Sequence, residues 1–531
     1  MQESARPRLG PPTRARATAW AGLALAGGVL LAHARHFDFL TDDAFISFRY
    51  ADNLVRHGEL TFNPGERVEG YTNVLWTIGL ALVLRLGGDP AEWSKSLGIA
   101  FSEGTLVVLF LFSTRARTPP ARRPEWGVLA PLLLALASPF AAWSEGGLET
   151  ALFTFLVTAA ALRHVVELDG PRRPWSAVLL ALATLARPEG ALLFAVIAVH
   201  RIVHATASGR RSAMRSFAGW ASLFAGLIVP YWAWRWAYYG YPLPNTYYAK
   251  TGPPLWGPGW RYVGAFIADT HVWVALPLLA IPWPERPDAT KLKSLLVVVM
   301  APWTVYVAAV GGDFMGSYRF LVPVLPLLAL MAQEGLAHLS PAEWIRAHRR
   351  RPALAAAVLA LLVVADAVHN WRMTGRALEV DSRQGVDSIG WLKQFVTQTS
   401  AIGRYVALEY PEGTTLATTA AGVIPYYSRM PTMDMLGLND VSVAHQVPAT
   451  GDRPGHRKVA PEDYVLARHP HLLIAHPWIT AEPPVLADAD LRYWRDHGYA
   501  FRTVAVPGLH PPFWSYLEAE GTPRLETRAR P

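Results

Sequence analysis

Two adjacent aspartates, Asp42 and Asp43, are the residues in this sequence best suited to acid–base chemistry. They follow a long apolar run. Neighbouring carboxylates at such a boundary repel each other and lose hydration, which raises the pKa of one of them. A carboxyl group tuned in this way can take a proton from a sugar hydroxyl. The same residues after Thr41 are also typical of a helix start, and the two roles are compatible because one aspartate can cap while the other faces a cavity.

Further polar side chains are concentrated in short segments between other apolar runs. Carboxylates, amides and tyrosines there can bind sugar hydroxyls, and arginine or lysine can hold a phosphate. Each ionisable residue can instead belong to a structural ion pair, with Arg187–Glu189 and Asp313–Arg319 as the clearest examples. The candidates for substrate binding are Arg49, Asn63, Glu66, Glu69, Tyr71, Asn73, Glu145, Glu149, Arg187, Glu189, Asn245, Tyr247, Tyr248, Lys250, Asp313, Tyr318 and Arg319.

The composition indicates what kind of structure must position these residues. Hydrophobic residues make up 52% of the 531 residues, charged residues make up 17%, and there are 21 tryptophans. Soluble proteins carry about 25% charged residues, so most of this chain must contact something other than water. The net charge of +8 comes from short basic clusters between apolar runs, which favours a membrane and argues against a nucleic acid as partner. Because the chain has no cysteine, disulfides, thiolate metal sites and cysteine nucleophiles are excluded.

Apolar runs near the length that a helix needs to cross a bilayer recur along residues 1–370 and predict about 11 membrane-spanning helices. The run Val74–Leu86 is too short for a span and is predicted to lie in the membrane interface. The predicted spans are Thr18–Ala34, Ser94–Phe112, Trp126–Trp143, Leu148–Val165, Trp175–Ala186, Ala191–His204, Phe217–Tyr238, Tyr262–Trp283, Ser294–Val310, Phe320–Leu339 and Pro352–His369.

Basic residues predict the orientation of these spans, because positive charge accumulates in cytoplasmic loops. The arginine-rich segments, such as 6–16, 115–123 and 346–351, fall on one side of the membrane only if Val74–Leu86 does not cross it. The N-terminus is then cytoplasmic, whereas the long first loop at 35–93 and everything beyond residue 370 are extracytoplasmic. All the candidate residues lie on this outer face, which favours a shared functional role for them.

The last part of the chain, residues 371–531, has no run long enough to span a membrane. Short apolar strands alternate there with helical stretches, which predicts a soluble α/β domain outside the cytoplasm. The predicted fold is therefore an all-α membrane domain over residues 1–370 followed by this extracytoplasmic domain. Its predicted strands include Thr415–Ala417, Leu472–Ala475 and Thr503–Val506, and its predicted helices include Ser388–Ser400 and Leu491–His497.

Several motifs resemble those of the polytopic GT-C glycosyltransferases. The segments 42–50 (DDAFISFRY) and 62–73 (FNPGERVEGYTN) carry the resemblance, and further similarity occurs at 243–250, 311–315, 421–427 and 436–440. Within this superfamily the chain is most similar to the terminal β-(1→2)-arabinofuranosyltransferases of the mycobacterial cell wall. The resemblance implies a GT-C membrane fold with interfacial helices in the first loop. It also implies that a first-loop aspartate, Asp42 or Asp43, is the catalytic base.

The predicted function is inverting transfer of a sugar, which the resemblance gives as arabinofuranosyl, from a polyprenyl-phosphate donor to an extracytoplasmic glycan, lipid or protein acceptor. Asp42 or Asp43 deprotonates the acceptor hydroxyl in this mechanism, and Arg187, Lys250 and Arg319 are the candidates for stabilising the departing phosphate. We expect no cofactor and no metal, since the sequence has no dense cluster of metal ligands. The predicted location is the bacterial inner membrane.

Two other functions are consistent with the composition. A transporter or flippase of a lipid-linked sugar would favour duplicated halves and charges at mid-membrane, and the sequence shows neither. A non-catalytic glycan-binding membrane protein would use the C-terminal domain for binding. Only the enzyme predicts chemical cleavage of the donor.

Overall fold

The computed structural model describes residues 13–115, 127–168, 172–205, 210–272, 275–281, 283, 288–338 and 352–525. Half of the arginines that predict the orientation, including those at 6–8, 117–123 and 346–351, lie outside these residues.

Helices make up the first two thirds of the chain, because a helix satisfies its backbone hydrogen bonds internally, as a bilayer requires. Two 3₁₀ helices, at Leu276–Leu279 and Arg319–Val324, adjoin them. The helices are α1 (Thr13–Phe37), α2 (Asp42–His57), α3 (Val74–Arg85), α4 (Pro90–Arg115), α5 (Leu129–Leu136), α6 (Ser138–Ala142), α7 (Thr150–Glu167), α8 (Trp175–Ala186), α9 (Gly190–Ala205), α10 (Arg210–Tyr239), α11 (Asn245–Lys250), α12 (Trp256–Thr270), α13 (Ala289–Ala309), α14 (Leu325–His338) and α15 (Pro352–Leu378).

Six stretches of helix among the described residues are long and apolar enough to cross a membrane, so the protein is a multi-pass membrane protein. Helices α3, α8 and α9 are apolar but shorter. The predicted span at Trp175–Ala186 matches α8 at both ends. The predicted interfacial helix is α3, at 12 residues, while its depth in the membrane stays a prediction. The six stretches are Ala15–Phe37, Pro90–Thr114, Thr150–Glu167, Arg211–Tyr239, Ala289–Ala309 and Arg319–Leu336.

Two of the predicted spans are interrupted. The run Trp126–Trp143, whose first residue lies outside the described part, breaks at Ala137, where the backbone is extended and divides α5 from α6. The run Tyr262–Trp283 stops being α-helical after Thr270, because His271 has the left-handed conformation. The prediction from hydropathy missed both breaks, although three polar residues, Asp269, Thr270 and His271, mark the second one.

The C-terminal part is the predicted α/β structure, built on a five-stranded mixed sheet in the order β4-β3-β5-β7-β6. Strands β4, β3 and β5 are parallel, and β7 runs antiparallel to β5 and β6. Its elements are the hairpin β1 (Ser382–Arg383) and β2 (Val386–Asp387), then α16 (Ile389–Glu409), β3 (Leu416–Thr418), α17 (Val423–Ser428), β4 (Thr432–Asp434), α18 (Val441–Gln446), α19 (Glu462–Ala467), β5 (Leu472–Thr480), α20 (Asp488–Asp496), β6 (Tyr499–Ala505) and β7 (Phe513–Ala519).

The two parts of the chain are packed together more closely than the predicted division at residue 370 implies. Helix α15 continues past that position to Leu378. One hydrophobic cluster combines side chains of the first loop, the end of α10, α11 and the C-terminal part. Its buried members are Ile46, Tyr50, Leu60, Phe62, Tyr71, Val74, Tyr239, Ala249, Ala421, Leu438 and Ala444.

Candidate active site

Asp42 and Asp43 begin helix α2, as the sequence predicts. Thr41 occupies the capping position, but its hydroxyl donates a hydrogen bond to the carbonyl of Gly146 (3.3 Å) and does not cap the helix. The two carboxylates in the first turn favour the helix dipole. Because successive helical residues point about 100° apart, the two side chains face different surroundings.

The carboxylate of Asp42 is bound by the backbone of the C-terminal part. One oxygen accepts from the amide of Gly422 (3.0 Å) and the other accepts from the amide of Val423 (2.8 Å). The pKa of Asp42 is raised to about 7, and burial is the largest cause. The charges of Asp43 and Asp434 also raise this pKa, while the two amide hydrogen bonds lower it. Asp42 therefore gives up its charge near neutrality more readily than an ordinary aspartate.

Because the pKa of Asp42 is higher in the folded protein than in the unfolded chain, protonated Asp42 favours the folded state. This stabilisation is complete at low pH and is lost as the pH rises from about 4 through 7. Asp42→Asn mimics the protonated form. We expect the unfolding temperature of this variant in detergent, relative to that of the wild type, to increase as the pH is raised from 4 to 7. A pH-independent difference between the two proteins would contradict this assignment. Asp52→Asn, further along α2, is the control.

Asp43 is only partly buried, and no hydrogen bond or ion pair to its carboxylate occurs among the described residues. Its charge acts on His456, as do those of Arg453 and Lys250. Burial lowers the pKa of His456 and Arg453 lowers it further, whereas Asp43 raises it. The His456 ring lies edge-on to Phe314, with ring centroids 4.4 Å apart.

Sequence reasoning missed Arg453 and His456. The only signal was the charged, turn-rich segment 452–457 (DRPGHR), which lies far along the chain from Asp43. Arg453 forms an ion pair with Asp387 of β2 (2.5 Å). The loop 452–457 thus places cationic side chains near the first-loop aspartate.

Arg49 and Asn63, predicted to bind substrate, bind the C-terminal part instead. The guanidinium of Arg49 donates to the carbonyls of Phe62, Pro425 and Met430 and to the amide oxygen of Asn63. The side chain of Asn63 bonds both backbone groups of Thr432, at 2.9 and 3.0 Å. Glu66 is exposed and accepts one hydrogen bond from Asn63.

Glu69 and Tyr71 are buried. Both oxygens of Glu69 accept from Nε of Arg235, at 2.9 and 2.7 Å, and burial raises the Glu69 pKa to about 7 against the effect of that arginine. Tyr71 accepts a hydrogen bond from Tyr239 (3.2 Å).

Asn245 donates to carbonyls of the loop 437–440. Arg235 could not be anticipated as the partner of Glu69, because it lies inside a predicted membrane span.

A polar network joins the first loop to the membrane helices through Asn73. The Asn73 amide donates to Glu149 (2.8 Å), which pairs with Arg187 (3.3 Å). Arg187 also pairs with Glu189 (3.1 Å), and Tyr306 donates to the same Glu189 carboxylate (2.9 Å). Two carboxylates thus occupy Arg187, so the geometry favours the structural alternative that the sequence left open.

Asp313 and Arg319 form the other ion pair suggested by the sequence, with distances of 2.5 and 3.2 Å between donor and acceptor atoms. Tyr318 donates to Asp269.

Glu145 is buried, and its nearest cation is Arg35, at 3.6 Å. Burial raises the pKa of Glu145 to about 7.

The α11 segment retains exposed side chains that a substrate could contact. Tyr247 and Lys250 are exposed, and Tyr248 packs on His445 with ring centroids 4.0 Å apart. No acidic partner of Lys250 occurs in the described part of the chain. Among the three predicted phosphate ligands, Lys250 alone remains available, since Arg187 and Arg319 pair with carboxylates.

A cavity of about 890 Å³ lies between α12, α15, the β1–β2 hairpin and the loop 452–457. Its charged lining includes both signs, so a ligand rich in hydroxyl groups would find donors and acceptors there. Among the described residues, no three histidine, aspartate or glutamate side chains are grouped so that they could hold a metal ion. The charged residues lining the cavity are Arg261, Asp269, Asp313, Arg376, Asp381, Arg383, Asp452 and Arg453.

Comparison with known proteins places this geometry in context. Over 344 residues the chain is 28% identical to the terminal β-(1→2)-arabinofuranosyltransferase of Corynebacterium glutamicum, covering 55% of this chain and 47% of that protein. Over 329 residues it is also 28% identical to the Mycobacterium tuberculosis enzyme of the same name, covering 55% and 52%. The chain is a distant homologue of these enzymes. It spans about half the length of the curated relatives that it matches.

The fold is that of ArnT from Cupriavidus metallidurans. The crystal structure of ArnT bound to undecaprenyl phosphate matches with a TM-score of 0.55 and 12% identity, covering 96% of this chain and all of that one. The apo structure gives a TM-score of 0.56 at 13% identity, covering 94% and 98%. Together with the sequence matches, this shared fold confirms the predicted resemblance to the terminal β-(1→2)-arabinofuranosyltransferases. Residues 390–518 match a family described as a domain of unknown function (DUF8728).

Proposed function

We propose that this protein is a membrane glycosyltransferase that moves a sugar from a polyprenyl-phosphate donor to an extracytoplasmic acceptor. The observation that carries the proposal is a first-turn aspartate, Asp43, whose carboxylate has no hydrogen-bond or ion-pair partner in the described chain and whose charge acts on His456, as do the charges of Arg453 and Lys250. Homology to arabinofuranosyltransferases and the fold shared with ArnT, solved with undecaprenyl phosphate, support it. By that homology, we propose arabinofuranose as the sugar to test first.

Asp43 is the base in this proposal. It takes the proton of the acceptor hydroxyl, whose oxygen attacks the anomeric carbon while the bond from that carbon to the phosphate oxygen breaks. Attack opposite the leaving group inverts the anomeric centre. Burial raises the pKa of Asp42 to about 7, but both oxygens of that carboxylate accept from the amides of Gly422 and Val423, so Asp43 is the aspartate left to meet the acceptor.

Lys250, which has no acidic partner in the described part of the chain, stabilises the charge on the departing polyprenyl phosphate in this proposal. A cation positioned where negative charge develops lowers the barrier most, because its interaction strengthens in the transition state. Phosphate is a good leaving group, so the mechanism requires neither a covalent intermediate nor an acid catalyst.

The proposed topology has about 11 crossings, a cytoplasmic N-terminus, and the first loop and the C-terminal α/β part on the extracytoplasmic side of the inner membrane. Apolar character and length support the crossings of the six long helical stretches, whereas α8 and α9 are shorter and are proposed to cross on the pattern of basic residues. Site-directed labelling tests the sidedness: a cysteine introduced at exposed Glu66 should react with a membrane-impermeant reagent added to intact spheroplasts.

Reconstitution tests the activity. Purified protein in proteoliposomes, given radiolabelled polyprenyl-phosphate arabinofuranose and an arabinan oligosaccharide, should release polyprenyl phosphate and extend the oligosaccharide. Movement of intact donor across the bilayer without cleavage would instead establish a flippase. Binding of oligosaccharide with neither cleavage nor movement would establish a glycan-binding protein. A panel of other polyprenyl-phosphate sugars tests donor identity separately from transfer.

A further inference from the structure

Helix α2 presents one face to the C-terminal part, and the contacts along that face are continuous. Asp42, Phe45, Arg49 and Tyr50 lie on this face, because residues three, seven and eight positions after Asp42 share one side of a helix. Their partners lie in α17, in the loops that flank it and in the loop that follows β4. Asp43 lies off this face, which leaves its carboxylate free.

The individual contacts are specific. Besides the two amide bonds to Asp42, Arg49 donates to the carbonyls of Pro425 and Met430. The ring of Phe45 lies 5.4 Å from that of Tyr426. Tyr50 donates to the side-chain oxygen of Asn439 (3.0 Å).

Gly422 permits the closest of these approaches. A Cβ atom at this position would lie 1.8 Å from the backbone carbonyl oxygen of Asp42, a distance that no pair of unbonded atoms can adopt. Both the glycine and the aspartate are therefore required for the contact as it stands.

We propose that the C-terminal α/β part, whose family has no assigned function, is the positioning element of helix α2, and that Asp42 is the residue through which it acts. The inference rests on the proposed function only for its catalytic consequence, because the docking itself can be measured without turnover. Asp42 is then a positioning residue, whereas Asp43 is the residue that meets substrate.

Four variants test this proposal. Asp42→Ala removes both acceptors, Gly422→Ala introduces the clash, Asp42→Asn keeps one acceptor, and Gly79→Ala is the control because a Cβ there meets nothing within 4 Å. Displacing a catalytic group by about 1 Å costs about 10²-fold in rate, so we expect that loss in kcat for Asp42→Ala and for Gly422→Ala, with the KM for the donor little changed. Asp42→Asn should stay within a few-fold of the wild type.

Limited proteolysis supplies a readout that does not depend on activity. The C-terminal part should be released faster from Asp42→Ala and Gly422→Ala than from the wild type, Asp42→Asn or Gly79→Ala. The double variant Asp42→Ala/Gly422→Ala should lose little beyond either single variant, because both changes break one contact.

Three results would overturn the proposal. Asp42→Asn could be inactive with its C-terminal part still protected, which would make Asp42 the base. Asp42→Ala could be fully active. Both positioning variants could be protected as well as the wild type. If no variant, nor the wild type, cleaves the donor, the proposed function fails, and the proteolysis series still decides whether Asp42 docks the C-terminal part.

Discussion

Asp43→Asn should abolish sugar transfer while leaving the protein folded. A positioned general base contributes about 10²–10⁴-fold to the rate, so we expect a loss of that size in kcat. The KM for the lipid donor should change little, because the base acts on the acceptor hydroxyl. The measurement is release of polyprenyl phosphate from a radiolabelled donor in proteoliposomes.

The matched control for this variant lies on the same helix. Asp52 pairs with Arg56 one turn further along the chain (2.7 Å), and Asp52→Asn removes a carboxylate of the same type away from the proposed site. The control should keep near-normal turnover. Full activity in Asp43→Asn, with a lipid donor that the wild type cleaves, would exclude Asp43 as the base.

Glu69→Gln should cost the protein about 3–5 kcal/mol of stability, because it leaves the guanidinium of Arg235 buried without its counter-charge. Both side chains are almost fully buried, at 2% exposure for Glu69 and 5% for Arg235. Replacing both residues together, as Glu69→Leu/Arg235→Met, should recover most of the loss, since no buried charge then remains. Thermal unfolding in detergent measures both effects.

The same experiment separates a structural role from the substrate-binding role that the sequence predicted for Glu69. A sugar ligand would show as a raised KM with unchanged stability. Arg383→Met provides the comparison for an exposed pair, since Arg383 meets Asp381 with 83% of its side chain exposed, and such pairs contribute about 0–1 kcal/mol.

The helices and the order of strands and helices could be predicted from sequence because they depend on local patterns. The apolar run of α8 predicts both of its ends, and the short run of α3 predicts a helix too short to span. The strand at Leu416–Thr418 lies one residue from its predicted position. The break at Ala137 was missed although Pro139, at the start of α6, is a local signal for it. What local sequence does not show is the distant partner of the freed amide of Ser138, which donates to the side chain of Asn370 (2.9 Å).

The candidate site was only partly predictable, because its partners are distant in sequence. Asp42 and Asp43 are equivalent in the local pattern, and only Gly422 and Val423 distinguish them. Arg49 carries a cationic side chain suited to binding substrate, yet its guanidinium donates to backbone carbonyls of the protein. The sequence therefore located the region of the site, while the roles within it depend on contacts that folding creates.

These long-range contacts impose an order on the biogenesis of the protein. The first loop emerges early in synthesis, but Arg49, Asp42 and Asn63 find their partners 376, 380 and 369 residues later. On the proposed topology, the first loop reaches the extracytoplasmic side before these partners are synthesised, so the polar groups that its final core would bury are exposed at first. The proposed site then forms only after the C-terminal part has followed, so a chain interrupted before Gly422 would insert its helices without acquiring a rigid catalytic helix.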